Sequence, residues 1–222
     1  VKLRQLAGES GVSTTTLKHW IRVGIMPSGR LRNRTTADYE QRHLDRARLI
    51  LVLRDVYRAS VAEIRSLTDV IDAEDVSVLE VMNACQAFAL EVPSEPDGAD
   101  VAEYQERAFE LMRRRDWRGY PGAAVHGLVA ALAQAAEVGL DYEVDELMEY
   151  ADALEPLAGR NVAALGPMGS PDEVARRMLL AVNARARQLV AVSSLAHAAV
   201  SIRAAIERGD APPDLAMPPA AS

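Results

Sequence analysis

Cysteine is almost missing from this chain. Its single thiol, Cys85, excludes an intramolecular disulfide, and alone it cannot build the multi-thiolate sites that hold soft metal ions. A reducing compartment fits. No run of 18 or more uncharged apolar residues is present, and the first residues lack the charged-then-apolar order of a secretory signal, so a soluble, cytoplasmic protein with no membrane partner is expected. Phosphate-binding glycine loops, HExxH and GxSxG are absent, and no nucleophile stands with an identifiable base. The expectation is therefore a protein that is not an enzyme and needs no cofactor and no metal.

What is present in quantity is apolar surface and unevenly distributed charge. With 222 residues and 49% hydrophobic side chains there is ample material for a buried core. The net charge of −7 hides two opposite halves: residues 1 to 58 carry twelve Lys/Arg against five Asp/Glu, and the remainder carries thirteen against twenty-seven. A basic head of this kind supplies the phosphate-neutralising term that dominates DNA affinity, while an acidic body is repelled by a polyanion and must face away from it.

Apolar spacings of three and four recur through the sequence, and β-favouring residues do not alternate, which predicts an all-α fold. Two short helices, Leu3 to Ser10 and Ser13 to Val23, are joined at Gly11. An irregular basic stretch to Tyr39 leads to a helix over Gln41 to Tyr57 and another from the N-cap Ser60 to about Ile71. From Ala73 to Val92 the series Val78, Met82, Cys85, Ala89 and Val92 has the spacing of a short coiled-coil seam. Residues 93 to 99 read as a linker, followed by helices near 100 to 118, 122 to 138 and 141 to 155. A last helix opens with Ser170 as N-cap and Pro171 at its first position and continues to about Arg208, spanning about 55 Å. The implied organisation is a head over 1–72, a connecting or dimerisation segment over 73–99, a helical domain over 100–208 and a disordered tail over 209–222.

The head carries the most specific pattern. Leu6, Val12, Leu17 and Trp20 fall where two crossing helices touch, Ala7 is small at the crossing, and Gly11 occupies a turn that favours positive φ. Ser13 caps a helix that starts Thr14, Thr15, Thr16, Leu17, Lys18, His19, whose leading side chains suit base edges and thymine methyls in a major groove. A helical hairpin of another purpose would share some of these features. Gly11 to Trp20, continuing into Ile21-Arg22-Val23-Gly24-Ile25-Met26-Pro27, resembles the recognition helix of the MerR family and the turn into its wing. Thr36 to Tyr39, then His43, Leu44, Arg46, Arg48, Leu49 and Ile50, and Ser60 to Arg65, are similar to the wing end and the next two helices in a branch of that family.

The resemblance implies a winged helix-turn-helix with a small β wing, leading to a helical bundle that ends in one long helix. It places Ser13, Thr14, Thr15, Thr16, Lys18, His19 and Arg22 on or beside the DNA-reading helix, and Arg30, Arg32 and Arg34 in a wing that grips the flanking backbone or minor groove. His19 stands where the family often has a phosphate-binding Tyr, and the usual wing Gly-Tyr-Arg is absent. Trp20 reads as core. Tyr39 and His43 could each touch a phosphate or buttress the wing. The family further implies double-stranded DNA and a homodimer as partners, with RNA polymerase at a promoter as a third.

Two dimer surfaces are open: Val78, Met82 and Cys85 on the short seam, and a long-helix stripe that includes Leu189. The second could equally be the inside of a monomeric bundle. In the body, Trp117, Tyr120, Tyr142 and Tyr150 are candidate walls for a small organic effector, or ordinary core. Asp141, Glu143, Asp145, Glu146 and Glu149 suggest a metal, but the opposite stripe of apolar residues makes them most simply a solvated face. The reading is thus a ligand-controlled, sequence-specific transcriptional regulator, with a DNA-bound scaffold that recruits another protein as the alternative.

Overall fold

A computed structural model of the chain describes residues 1–33, 37–93, 101–119, 122–163 and 169–212. Among them are nine helices and one two-stranded sheet. Helix α1 (Leu3–Ser10) ends at Gly11, whose φ of 73° is left-handed, and α2 (Thr14–Arg22) begins at once behind the Ser13 cap. Strands β1 (Arg30–Leu31) and β2 (Ala37–Asp38) pair antiparallel with Arg30 opposite Asp38. Then come α3 (Gln41–Asp55), α4 (Val61–Ile71) and α5 (Val78–Ala89). Capping boxes start the last two: Ser60 with Glu63, and Ser77 with Glu80, each serine accepting from the N3 amide while the glutamate accepts from the cap amide.

The body holds α6 (Val101–Arg114), α7 (Ala123–Glu137), α8 (Val144–Ala163) and α9 (Pro171–Arg208). Helix α9 has the expected bounds, because Ser170 accepts from the Glu173 amide at 3.3 Å and Pro171 occupies the first turn, where its missing N–H costs nothing. Helix α8 does not stop near 155, as its pattern suggests, but runs on through Pro156 to Ala163.

Two hydrophobic cores form. The first gathers Leu6, Leu17, Trp20, Ile25, Leu49, Ile50, Leu53 and Ile64 of the head, Val81 and Cys85 of α5, and Val174, Ala175 and Leu179 of α9. The second joins Tyr104, Ala108 and Leu111 of α6 to Val125, Val129 and Leu132 of α7 and Leu147 and Ala151 of α8. Helix α7 also packs on α5, and the Asn83 side-chain carbonyl accepts from the Ala123 amide at 2.8 Å, closing a helix start that Gly122 cannot cap. The chain divides into two units, Val1–Leu180 and the segment from Ala181 onward. Val174, Ala175 and Leu179 in the first turns of α9 pack with the head, whereas sequence spacing places residues 100–208 in one helical domain. Pro171 restarts the helix at a place where the sequence gives no sign of tertiary partners.

The α5 seam needs correction. Cys85 is fully buried in its own chain, with Sγ directed at the Ala175 carbonyl at 3.8 Å, and Met82 is half-buried against the same core. Only Val78 of that trio is exposed. Heptad spacing reports an apolar stripe but not which surface covers it. Burial also pushes the Cys85 thiol up to about 12. The folded protein is therefore expected to resist thiol-specific alkylation at pH 8 and to react stoichiometrically once unfolded in denaturant, as followed by mass spectrometry.

Helix α9 contains an 18-residue window of mean hydropathy 1.7, so by length and composition alone it could cross a membrane. The uncharged stretch itself, from Gln188 to Ile202, falls short of a span because Arg187 and Arg203 bound it.

Candidate nucleic-acid interface

Helix α2 is held from behind and presents its other face to solvent. Leu17 and Trp20 are buried in the head core, whereas Thr15, Lys18, His19 and Arg22 are exposed. Ser13 and Thr16 are occupied locally: the Thr16 amide donates to Ser13 Oγ at 3.1 Å, and the two hydroxyls lie 2.8 Å apart. Their task is to cap the helix. Thr14 is half-buried. Arg22 Nη2 donates to His19 Nδ1 at 3.0 Å, which makes that ring nitrogen the acceptor.

The turn after α2 fixes the angle at which the helix is offered. The Val23 amide donates to the His19 carbonyl at 2.9 Å and the Ile25 amide to the Trp20 carbonyl at 3.1 Å. Gly24 between them has φ of 78°, and a Cβ there would come within 3.2 Å of Arg65 Nη2. Arg65 is positioned by α4 and donates to the Val23 carbonyl.

The wing rests on Tyr39. Only 7% of this residue is exposed, and a Cβ on Gly29 would sit 2.9 Å from its ring and 2.8 Å from the Asp38 carbonyl, so the strand can approach only as glycine. The ring meets His43 edge-on at 5.2 Å. His43 is buried too; its Nδ1 accepts from the Glu40 amide at 2.9 Å, so Nε2 carries the proton and faces the Ser28 carbonyl at 3.4 Å. Of the two roles open to Tyr39 from the sequence, phosphate contact or buttress, its burial against Gly29 and His43 fits the buttress. Burial raises its phenol above the ordinary value. Arg30 and Arg32 are exposed on the wing, and Arg34 lies outside the described residues.

Sequence pattern alone does not single out Lys2, Arg4 and Gln5. They line one open cleft of about 490 Å³ with Arg32 and Asp38, which brings the start of α1 beside the wing. Their only sequence signal is the basic count of the head.

Residues 1–70 match the family model described as MerR HTH family regulatory protein. These residues are a MerR-family helix-turn-helix domain. Such a domain is the DNA-binding part of a transcriptional regulator. Among curated proteins, no sequence matches the chain at a significant level. The fold is similar to the crystal structure of a candidate transcriptional regulator from Streptomyces coelicolor A3(2), at 22% identity and a TM-score of 0.62, over 91% of this chain and 97% of that one.

Behind the MerR head, the aromatic candidates do not converge. Trp117 lines an open cleft of about 420 Å³ with Phe109, Met112, Arg113, Asp116 and Gly119. Its indole Nε1 donates to Glu155 at 3.0 Å, and the Arg115 guanidinium lies 5.9 Å from its ring. Tyr142 and Tyr150 instead stack edge-on with each other at 6.3 Å and do not line that cleft, while Tyr120 lies outside the described residues. The acidic run is tied to arginines of α6: Arg107 to Asp141 and Glu143, and Arg114 to Asp145. No cluster suited to a metal ion occurs among the described residues. Leu189 is exposed, unlike Cys85.

Proposed function

We propose that the chain is a dimeric, sequence-specific transcriptional regulator that reads the major groove with Thr15, Lys18 and Arg22 and grips backbone phosphates with Arg30 and Arg32, joined by Lys2 and Arg4. The observation that carries this reading is the pairing of an exposed polar face on α2 with a basic wing on the same rigid head. Selection of bound duplexes from a random-sequence library by the full chain tests it. Arg30→Ala or Arg32→Ala is expected to weaken all duplexes alike and to shallow the salt dependence of binding by about one unit each. Thr15→Ala is expected to reorder preference among selected duplexes by about 1 kcal/mol; an unchanged ranking removes Thr15 from the reading set.

The dimer partner is a second copy of α9. From Gln188 to Ile202 the helix carries no Asp, Glu, Lys or Arg and is largely apolar outside the face of Ser193, Ser194, His197 and Ser201, with Val190 67% and Leu195 71% exposed. An exposed apolar stretch of this length calls for cover. A second copy satisfies this need and supplies the two-fold arrangement that MerR-type regulators use on pseudo-palindromic sites. Control by a small organic molecule is supported by the Trp117 cleft, whose Phe109, Met112 and Trp117 give an apolar wall beside Arg113. Indole fluorescence is expected to shift on titration with an aromatic acid in the Trp20→Phe background, and no shift across a broad ligand panel favours a scaffold. In that second reading, favoured by the length of the exposed apolar segment, α9 binds a different protein.

A further inference from the structure

One buried ion cluster in the first unit lies behind the DNA-facing surface. Arg46 of α3 is only 2% exposed, which is rare for arginine and tolerable only with complete pairing. Its Nη1 and Nη2 donate to the two carboxylate oxygens of Asp72, the C-cap of α4, at 3.0 and 2.6 Å. Its Nε donates to Asp172 in the first turn of α9, whose side chain is 10% exposed, whereas Asp72 remains 58% exposed. The remaining reach of Nη1 is to the Ile25 carbonyl at 3.5 Å, in the turn that ends the recognition helix.

The same three turns of α9 are anchored at further points. Asp45, next to Arg46, accepts from the Ser170 hydroxyl at 2.8 Å and from Gln41 at 2.8 Å. The Tyr57 hydroxyl donates to the Leu179 carbonyl at 2.7 Å, and Val174, Ala175 and Leu179 enter the head core. Asp172, 126 positions away in the sequence, is thereby fastened to a guanidinium that also touches the turn behind α2. An apolar pair would support the fold as well or better, so stability alone does not account for a buried charge at this position.

We propose that Asp172, acting through Arg46, is a positioning residue for DNA reading: the N-terminal turns of α9 complete the head and fix the turn at Val23 to Ile25, and with it the presentation of α2. The consequence for DNA rests on the reading of α2 as the recognition helix. Asp172 itself touches no DNA. It orients Arg46, and Arg46 orients the turn.

Hydrogen exchange on the full chain tests the positioning step without DNA. In Asp172→Asn the Val23, Gly24 and Ile25 amides are expected to exchange at least about tenfold faster while the amides of Ile64 to Thr68 in α4 are unchanged. An even acceleration across the head would reduce the pair to general fold support and overturn the proposal. For the DNA step, a duplex selected by the unaltered chain is compared with mixed-sequence DNA. Asp172→Asn is expected to lose about tenfold on the selected duplex and to keep its mixed-sequence affinity and salt slope. Unaltered preference for the selected duplex would overturn the proposal. If Asp172→Asn does not fold, Arg46→Met/Asp172→Leu takes its place, with the same loss expected at undiminished thermal stability; full recovery of duplex preference in that variant would overturn it. A library that yields no selected duplex refutes the DNA-reading assignment, and the exchange result still decides the Arg46 coupling.

Discussion

Leu189→Asp/Leu195→Asp is expected to convert the protein from dimer to monomer in sedimentation and to lower affinity for a two-half-site duplex by at least about a hundredfold. Each Asp would carry an unpaired charge into an apolar interface, and burying even one such carboxylate costs far more than the packing of a leucine there contributes. A monomer also loses the second half-site, whose engagement from a dimer is an intramolecular event with a high effective concentration. Both leucines are exposed within the single chain, so the change is expected to leave the melting of the isolated monomer almost unaltered. A variant that remains dimeric with unchanged affinity would exclude the exposed segment of α9 as the dimer surface.

Ending the chain before α9 is expected to have a different and larger consequence. A protein stopping at Gly169 loses Val174 and Leu179 from the head core, each worth roughly 1.5–3 kcal/mol of burial. It also leaves Arg46 without Asp172, and breaking a buried pair costs about 3–5 kcal/mol. Together these approach the whole stability of an ordinary domain, about 5–15 kcal/mol. The truncated head is therefore expected to be unfolded or molten at 37 °C by near-ultraviolet circular dichroism, whereas a protein ending at Leu180 keeps a cooperative melt and is monomeric. A well-folded, DNA-competent fragment stopping at Gly169 would show that α9 is dispensable to the head.

Those two results separate what local sequence can reveal from what it cannot. The Ser13, Ser60 and Ser170 caps, the left-handed Gly11 and the bounds of α9 depend on neighbours within a few residues, and each is legible. The heptad at Val78, Met82 and Cys85 is legible as apolar, but the cover of Cys85 comes from Ala175, ninety residues away. Arg46 looks in the sequence like one more basic residue of the head. Its burial depends on two aspartates at separations of 26 and 126 residues, which no spacing rule relates. The exposed face of α2 is visible because helical periodicity assigns Leu17 and Trp20 to the opposite side, while the cleft uniting Lys2 and Arg4 with Arg32 requires the folded wing.

The proposed reading of DNA sequence through the face of α2, with the basic wing on the backbone, underlies every other role proposed for this chain. The most direct measurement is duplex selection from a random library by the full chain, followed by affinity across a salt series for the selected and scrambled duplexes. The expected result is an enriched pseudo-palindrome, preference over the scrambled duplex by about a thousandfold or more, and loss of that preference in Thr15→Ala/Lys18→Ala with mixed-sequence binding largely retained. Equal affinity for all duplexes at every salt concentration, or preference that survives the loss of both side chains, would contradict it.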